Sequence, residues 1–184
     1  MATARFGNHR GCLAMVLGAS LALSVAPALG RDGRHSHAAR GAAPSVSKAF
    51  DPMTVAPGHS SLVTITLSNP NATVAVLTGE LDDVLPSSVS IGGGAGSTTC
   101  PNGNVSAIAG FGVFALGLGA EIPAQGACTV TVCVVSAMTG TYTNTIPAGA
   151  LQTDMGNNAD DASAILAVSD DVIFANRFEG DCAG

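Results

Sequence analysis

L-V-T-I-T-L-S-N-P-N, Leu62–Asn71, decides the fold. Leu62, Thr64 and Thr66 alternate against Val63, Ile65 and Leu67, so an extended strand there has an aliphatic face and a hydroxyl-bearing face. Val, Ile and Thr suit a pleated, half-buried surface. Asn69-Pro70-Asn71 ends the run firmly, since proline cannot donate to a ladder and asparagine bonds its own backbone in turns. Outward from it the same grammar repeats. Val46–Phe50 reads as a first strand, with turns at Asp51-Pro52 and Pro57-Gly58. Val74–Leu77 and Leu81–Leu85 flank Gly79, where a bulge or kink is expected, and Pro86 ends the second of them. Val89–Ile91 is a short strand and Gly92–Gly96 a loop. Ala127–Val135 is the clearest strand, followed by Thr141–Ile146, a turn at Pro147-Ala148-Gly149, a short strand at Ala150–Thr153, and Ala162–Val168. Short alternating strands with Pro, Gly and Asn turns, and no helical period or internal repeat, predict an all-β sandwich.

The first thirty residues read differently. Arg5, His9 and Arg10 precede the uncharged run Leu13–Val25, and Ala28-Leu29-Gly30 offers small residues for cleavage. This is the pattern of a signal peptide, residues 1–30, so the chain is expected to be exported. Pro27, Gly18 and Gly30 argue against a retained span, and no membrane span is expected in the mature chain. Residues 31–43 are small, basic and aperiodic, a flexible leader. His35 and His37 lie there with no third ligand near in sequence, so they read as linker residues. The sandwich is expected over residues 44–168 and a C-terminal tail over 169–184.

Charge limits the partners. The chain has 7 Lys and Arg against 13 Asp and Glu, and only 11% of its residues are charged. Beyond Lys48, Arg177 is the only Lys or Arg. A surface nearly without Lys or Arg is poorly placed to neutralise phosphates, so nucleic acid and anionic lipid are poor partners. The outer strand faces are left to Thr, Ser, Asn and Gly, which suits an extracellular module.

Cys12 leaves with the signal, and Cys100, Cys128, Cys133 and Cys182 remain. In an exported chain, disulfides are the expected use of such cysteines. On the strand at Ala127–Val135, Cys128, Val130, Val132 and Val134 share one face, which places Cys128 toward the core and Cys133 toward water. No cysteine spacing fits a zinc site.

Further segments carry a resemblance: P-S-V-S-K-A-F-D-P at Pro44–Pro52, V-A-P-G at Val55–Gly58, the opening stretch, C-T-V-T-V at Cys128–Val132, G-T-Y-T-N-T-I-P-A-G-A-L at Gly140–Leu151 and G-N-N at Gly156–Asn158. In that order and spacing, Pro44–Val168 resembles one copy of the bacterial surface conserved-repeat domain, an immunoglobulin-like module of unknown function. The resemblance implies an immunoglobulin-like β-sandwich, a disulfide between Cys100 and Cys128, and a pair of strands within Val105–Leu118 broken near Gly110-Phe111-Gly112. It supplies no catalytic residues. The pairing of Cys133 and Cys182 stays open. The tail D-V-I-F-A-N-R-F-E, Asp171–Glu179, is similar to a D-x-I-F-x-x-G-F-E signature that ends exported gammaproteobacterial proteins, with Arg177 in place of the glycine. That likeness implies a recognition tail carried by Asp171, Ile173, Phe174, Phe178 and Glu179. The competing reading is an edge strand packed on the sandwich.

Catalytic constellations are thin. His59-Ser60-Ser61 puts a base beside a nucleophile, but neighbours on a strand point to opposite faces. Gly92–Gly96 lacks the Lys-Ser/Thr of a phosphate loop. The acidic pairs Asp82-Asp83, Asp160-Asp161 and Asp170-Asp171 read as solvated surface, and no metal site is assigned. Asn157, Asn158, Asp160 and Asp161 come closest to a calcium loop, without an EF-hand pattern. No cofactor is expected. The expected function is a non-catalytic module at the cell surface, in the periplasm or outside the cell, with a protein or a surface glycan as partner. Its rivals are a self-assembling envelope component and a secreted hydrolase.

Overall fold

The computed structural model of the protein describes residues 41–171. Those residues form β1 Ser45–Asp51, β2 Thr54–Val55, β3 Ser60–Asn69, β4 Ala75–Val76, β5 Leu81–Val84, β6 Ser90–Thr98, β7 Val105–Ala107, β8 Val113–Leu116, β9 Glu121–Ile122, β10 Gly126–Val135, β11 Gly140–Ile146, β12 Gln152–Thr153, β13 Gly156–Asn157 and β14 Ala162–Val168, with no helix among them. The largest sheet has the order β1-β3-β10-β6. Opposite it stand β11-β14-β2 and β5-β8-β7, with ribbons β12-β13 and β4-β9. The chain is an all-β sandwich.

Alternation builds the core. Along β3, Ser61, Val63, Ile65, Leu67 and Asn69 are buried, while Leu62, Thr64, Thr66 and Ser68 face outward. The full register with β10, from Ser60 opposite Val135 to Asn69 opposite Gly126, sets Val130 and Val132 beside Ile65 and Val63. These aliphatics join Phe50, Leu81, Phe114, Leu116, Ile146 and Leu166 from the other strands in one core cluster. Burying each such side chain contributes about 1.5–3 kcal/mol. Asn69 closes β3 from inside. Its amide donates to Thr73 O and Ile122 O at 2.8 and 3.2 Å, and its Oδ1 accepts from the Asn71 backbone N–H at 3.0 Å. A fully satisfied buried amide of this kind costs little to bury and ties the Asn69-Pro70-Asn71 turn to β9.

The structure corrects three expectations. Gly92–Gly96 is not a loop but the middle of β6, paired with β10 through a bulge. The stretch from Gly93 to Ser97 spans the same distance as Cys133 to Thr131 on β10, and Gly94 takes a φ of +72° at the bulge. Glycine is needed there for close approach. A Cβ on Gly96 would lie 2.5 Å from Val105 Cγ1, and one on Gly92 would lie 2.6 Å from Val135 Cγ1. Cys133 does point to the outer face of β10, but it is 8% exposed rather than in water. It sits on an interior strand between Leu62 of β3 and Gly93 of the bulged β6. Third, Asp83 is not surface solvation. It is fully buried, because it alternates inward with Leu81 while Asp82 points out.

Candidate functional site

Three buried polar side chains from three strands meet inside the sandwich. Val46, Lys48 and Phe50 share the inner face of β1, so the chain carries an amine inward on an otherwise apolar face. Asp83 comes from β5, and Asn144 shares the inner face of β11 with Ile146. The side chains of Lys48 and Asp83 are both wholly shielded from solvent, and Asn144 is 1% exposed. Lys48 Nζ donates to Asp83 Oδ2 in a short ion pair. Asn144 Nδ2 donates to the same oxygen at 3.3 Å. Two atoms of the cluster, Asp83 Oδ1 and Asn144 Oδ1, are buried without a hydrogen-bond partner.

The electrostatics follow from burial. Desolvation pushes the Lys48 amine below the ordinary lysine value, and the Asp83 charge and hydrogen bond pull it back up. Removing two charges from water costs several kcal/mol per ion, which their attraction repays only with full hydrogen bonding. Here the hydrogen bonding is incomplete.

A second feature lies on the outer face of the β1-β3-β10-β6 sheet. Cross-strand register lines up Ser47, Thr66 and Thr129 in one row and Ala49, Thr64 and Thr131 in the next. β6 and the residue after it extend both rows, with Thr99 Oγ1 3.1 Å from Thr129 Oγ1 and Ser97 Oγ 2.7 Å from Thr131 Oγ1. The rows carry hydroxyls and no charge. A shallow recess of about 560 Å³ opens at one end of this sheet, lined by Ser45, Ser68, Pro70, Gln125 and Gly126 among others.

The residues singled out in the sequence are placed as follows. Cys100 and Cys128 are joined in a disulfide, with Cα atoms 4.8 Å apart and both side chains buried. His59 is exposed after the Pro57-Gly58 turn, while Ser61 is buried and its hydroxyl donates to Pro52 O at 2.8 Å. Asn158 braces a loop: its Oδ1 accepts from the Leu151 N–H at 2.8 Å, and its amide donates to Pro147 O and Asp160 O. Asp161 accepts from the Ala148 N–H at 2.7 Å. Asn157 and Asp160 are exposed. Among the described residues no three His, Cys, Asp or Glu side chains gather as a metal site, and no helix is long and apolar enough to cross a membrane. Asp171 is exposed at the C-terminal end of the described residues. Residues 1–30, with Cys182, Ile173, Phe174, Phe178 and Glu179, lie outside the described residues.

Lys48, Asp83 and Asn144 were not singled out by sequence reasoning as a cluster. The available signal was alternation: each occupies an inward position beside an inward apolar neighbour, Lys48 with Val46 and Phe50, Asp83 with Leu81, Asn144 with Ile146.

Comparison with known proteins agrees with this architecture. Residues 44–168 match the family model described as Domain of unknown function (DUF7933). No curated protein matches. Among solved structures, the chain is similar to a cohesin module from a family 33 glycoside hydrolase of Clostridium perfringens ATCC13124, at 12% identity and a TM-score of 0.50, over 69% of this chain and 97% of that one. It is also similar to a non-cellulosomal cohesin from the hyperthermophilic archaeon Archaeoglobus fulgidus, at 12% identity and a TM-score of 0.43, over 71% of this chain and 94% of that one. A bacterial hydrophobin, BslA, is similar at 15% identity and a TM-score of 0.43, over 70% of this chain and 95% of that one.

Proposed function

The chain belongs to the DUF7933 family, and on that premise we propose that it is an exported, non-catalytic β-sandwich module that docks a protein partner on its hydroxyl-bearing sheet face. The observation that carries this reading is the pair of charge-free rows, Ser47-Thr66-Thr129-Thr99 and Ala49-Thr64-Thr131-Ser97. Strand geometry spaces such rows by about 7 Å along a strand and the strands by about 4.8 Å, a flat and regular surface. Hydroxyls can donate and accept, so the face can meet backbone and side-chain polar groups of a partner without desolvating a charge. The rows hold no aromatic ring on which a sugar could stack, which favours protein over glycan. The signal peptide expected over residues 1–30 and the thin charge set point the same way.

Placing a cation in the middle of such a face buries an unpaired charge in any complex. Thr66→Lys together with Thr131→Lys is therefore expected to weaken capture of envelope proteins by the purified chain at least about tenfold, while the fold is retained because both positions point outward. Equal capture by wild type and variant, or capture of polysaccharide alone, would contradict the reading.

A further inference from the structure

The Lys48, Asp83 and Asn144 side chains form a cluster that a binding role does not use. It lies wholly inside the sandwich, bridging β1, β5 and β11. A buried ion pair with two orphaned oxygens is a poor structural choice, since an apolar trio of similar volume would serve the core as well or better. The same arrangement is a good one for acyl transfer. An amine and a carboxamide are held on one carboxylate oxygen, out of water, by three different strands.

We propose that Lys48 Nζ and Asn144 Cγ become joined by an intramolecular isopeptide bond, with Asp83 as the catalytic residue that moves the protons. At the start the groups are an ammonium, a carboxylate and a carboxamide. Lys48 passes one proton to Asp83, leaving a neutral amine and a carboxylic acid. Desolvation of the Lys48 amine, which penalises its charged form, favours this transfer. The amine lone pair then adds to Asn144 Cγ while the acid supports the oxygen that gains charge. The nitrogen gives up one proton through the Asp83 carboxyl to Nδ2, the Cγ–Nδ2 bond breaks, and ammonia leaves. The products are a secondary amide, a carboxylic acid and one ammonia. Hydrogens and charge balance, and no oxidant, reductant or further reactant is needed.

The product accounts for the orphaned atoms. A protonated Asp83 can donate from Oδ1 to Asn144 Oδ1, the two atoms that have no partner in the ion-paired state. Its Oδ2 still accepts from the new amide N–H. A charged, half-satisfied cluster becomes a neutral, satisfied one. The bond also joins β1, the first strand and an edge of its sheet, to β11 in the opposite layer, whereas the Cys100–Cys128 disulfide ties the end of β6 to β10.

The test is the intact mass of the full chain recovered from its own cells, measured denatured and reduced. The mass is expected to fall short of the processed sequence by one ammonia. Cleavage after glutamate, at Glu80 and Glu121, should give one branched peptide carrying Lys48 and Asn144, and trypsin should not cleave after Lys48. Asp83→Asn keeps the shape of the site and removes the acid, so that variant is expected to lack the branched peptide. Because the wild-type mass is read on denatured protein, a variant that fails to fold does not spoil the test. A wild-type mass without the deficit overturns the proposal. So does loss of water with a Lys48–Asp83 bond, an ammonia loss mapped to Asn102-Gly103, or a branched peptide that persists in Asp83→Asn.

Discussion

Replacing Cys100 and Cys128 together with alanine is expected to lower the unfolding temperature by on the order of 10 °C. The disulfide closes a sequence separation of 28 residues between the end of β6 and β10. On the chain-entropy account, a loop of that size restricts the unfolded chain by about 3–4 kcal/mol. Both cysteines are also buried, so the substitution removes packed sulfur from the core at the point where the two strands meet. The double variant is the informative one, since it leaves no unpaired thiol to exchange with Cys133 or Cys182. Thermal unfolding followed by far-UV circular dichroism reads the shift. A midpoint unchanged from wild type would mean that the β6 and β10 ends are held by their ladder alone.

The second large effect belongs to Asp83. Asp83→Leu leaves the Lys48 amine buried without its counter-charge, and Asn144 Nδ2 without its acceptor. Breaking a buried pair from one side typically costs about 3–5 kcal/mol. Lys48→Met added to Asp83→Leu removes the stranded amine and is expected to be clearly more stable than Asp83→Leu alone, a comparison in which neither variant can form the Lys48–Asn144 bond. Urea unfolding of wild type, the single variant and the double variant gives the comparison. If the double variant is no more stable than Asp83→Leu alone, the cost lies in packing at position 83, not in the uncompensated charge.

How far the sequence alone reaches can be judged from particular strands. Leu62–Asn71 and Ala127–Val135 announce themselves, because a two-residue period in Val, Ile and Thr has one reading and the turns beside them are written in Pro, Gly and Asn. β3 and β10 follow those runs closely. β6 did not announce itself. G-G-G-A-G has no side chains from which to read a period, and its strand character comes from β7 and β10 pressing so close that a Cβ on Gly96 or Gly92 would collide. That is a tertiary cause with no local trace. The buried cluster failed to stand out for another reason. Lys48, Asp83 and Asn144 each sit at inward positions that alternation could have flagged, yet charged and amide side chains are ordinarily given to solvent. That they share one space follows from three strands brought together by the sandwich, which no spacing along the chain expresses. Asn158 shows the reverse case: in sequence it sits among calcium-like ligands, and in the fold it is buried, with its oxygen and amide bonded to the loop's own backbone.

The account rests on the chain acting outside the cytoplasm, where a disulfide persists and the hydroxyl-bearing rows of the sheet can meet a partner. Fractionation of the native cells, followed by mass spectrometry of the N-terminal peptide of the recovered chain, tests this most directly. The account predicts recovery from the envelope or the medium, with the N-terminus beginning after Gly30 or, alternatively, after Ala28. Recovery from the cytoplasm with Met1–Gly30 intact would contradict it.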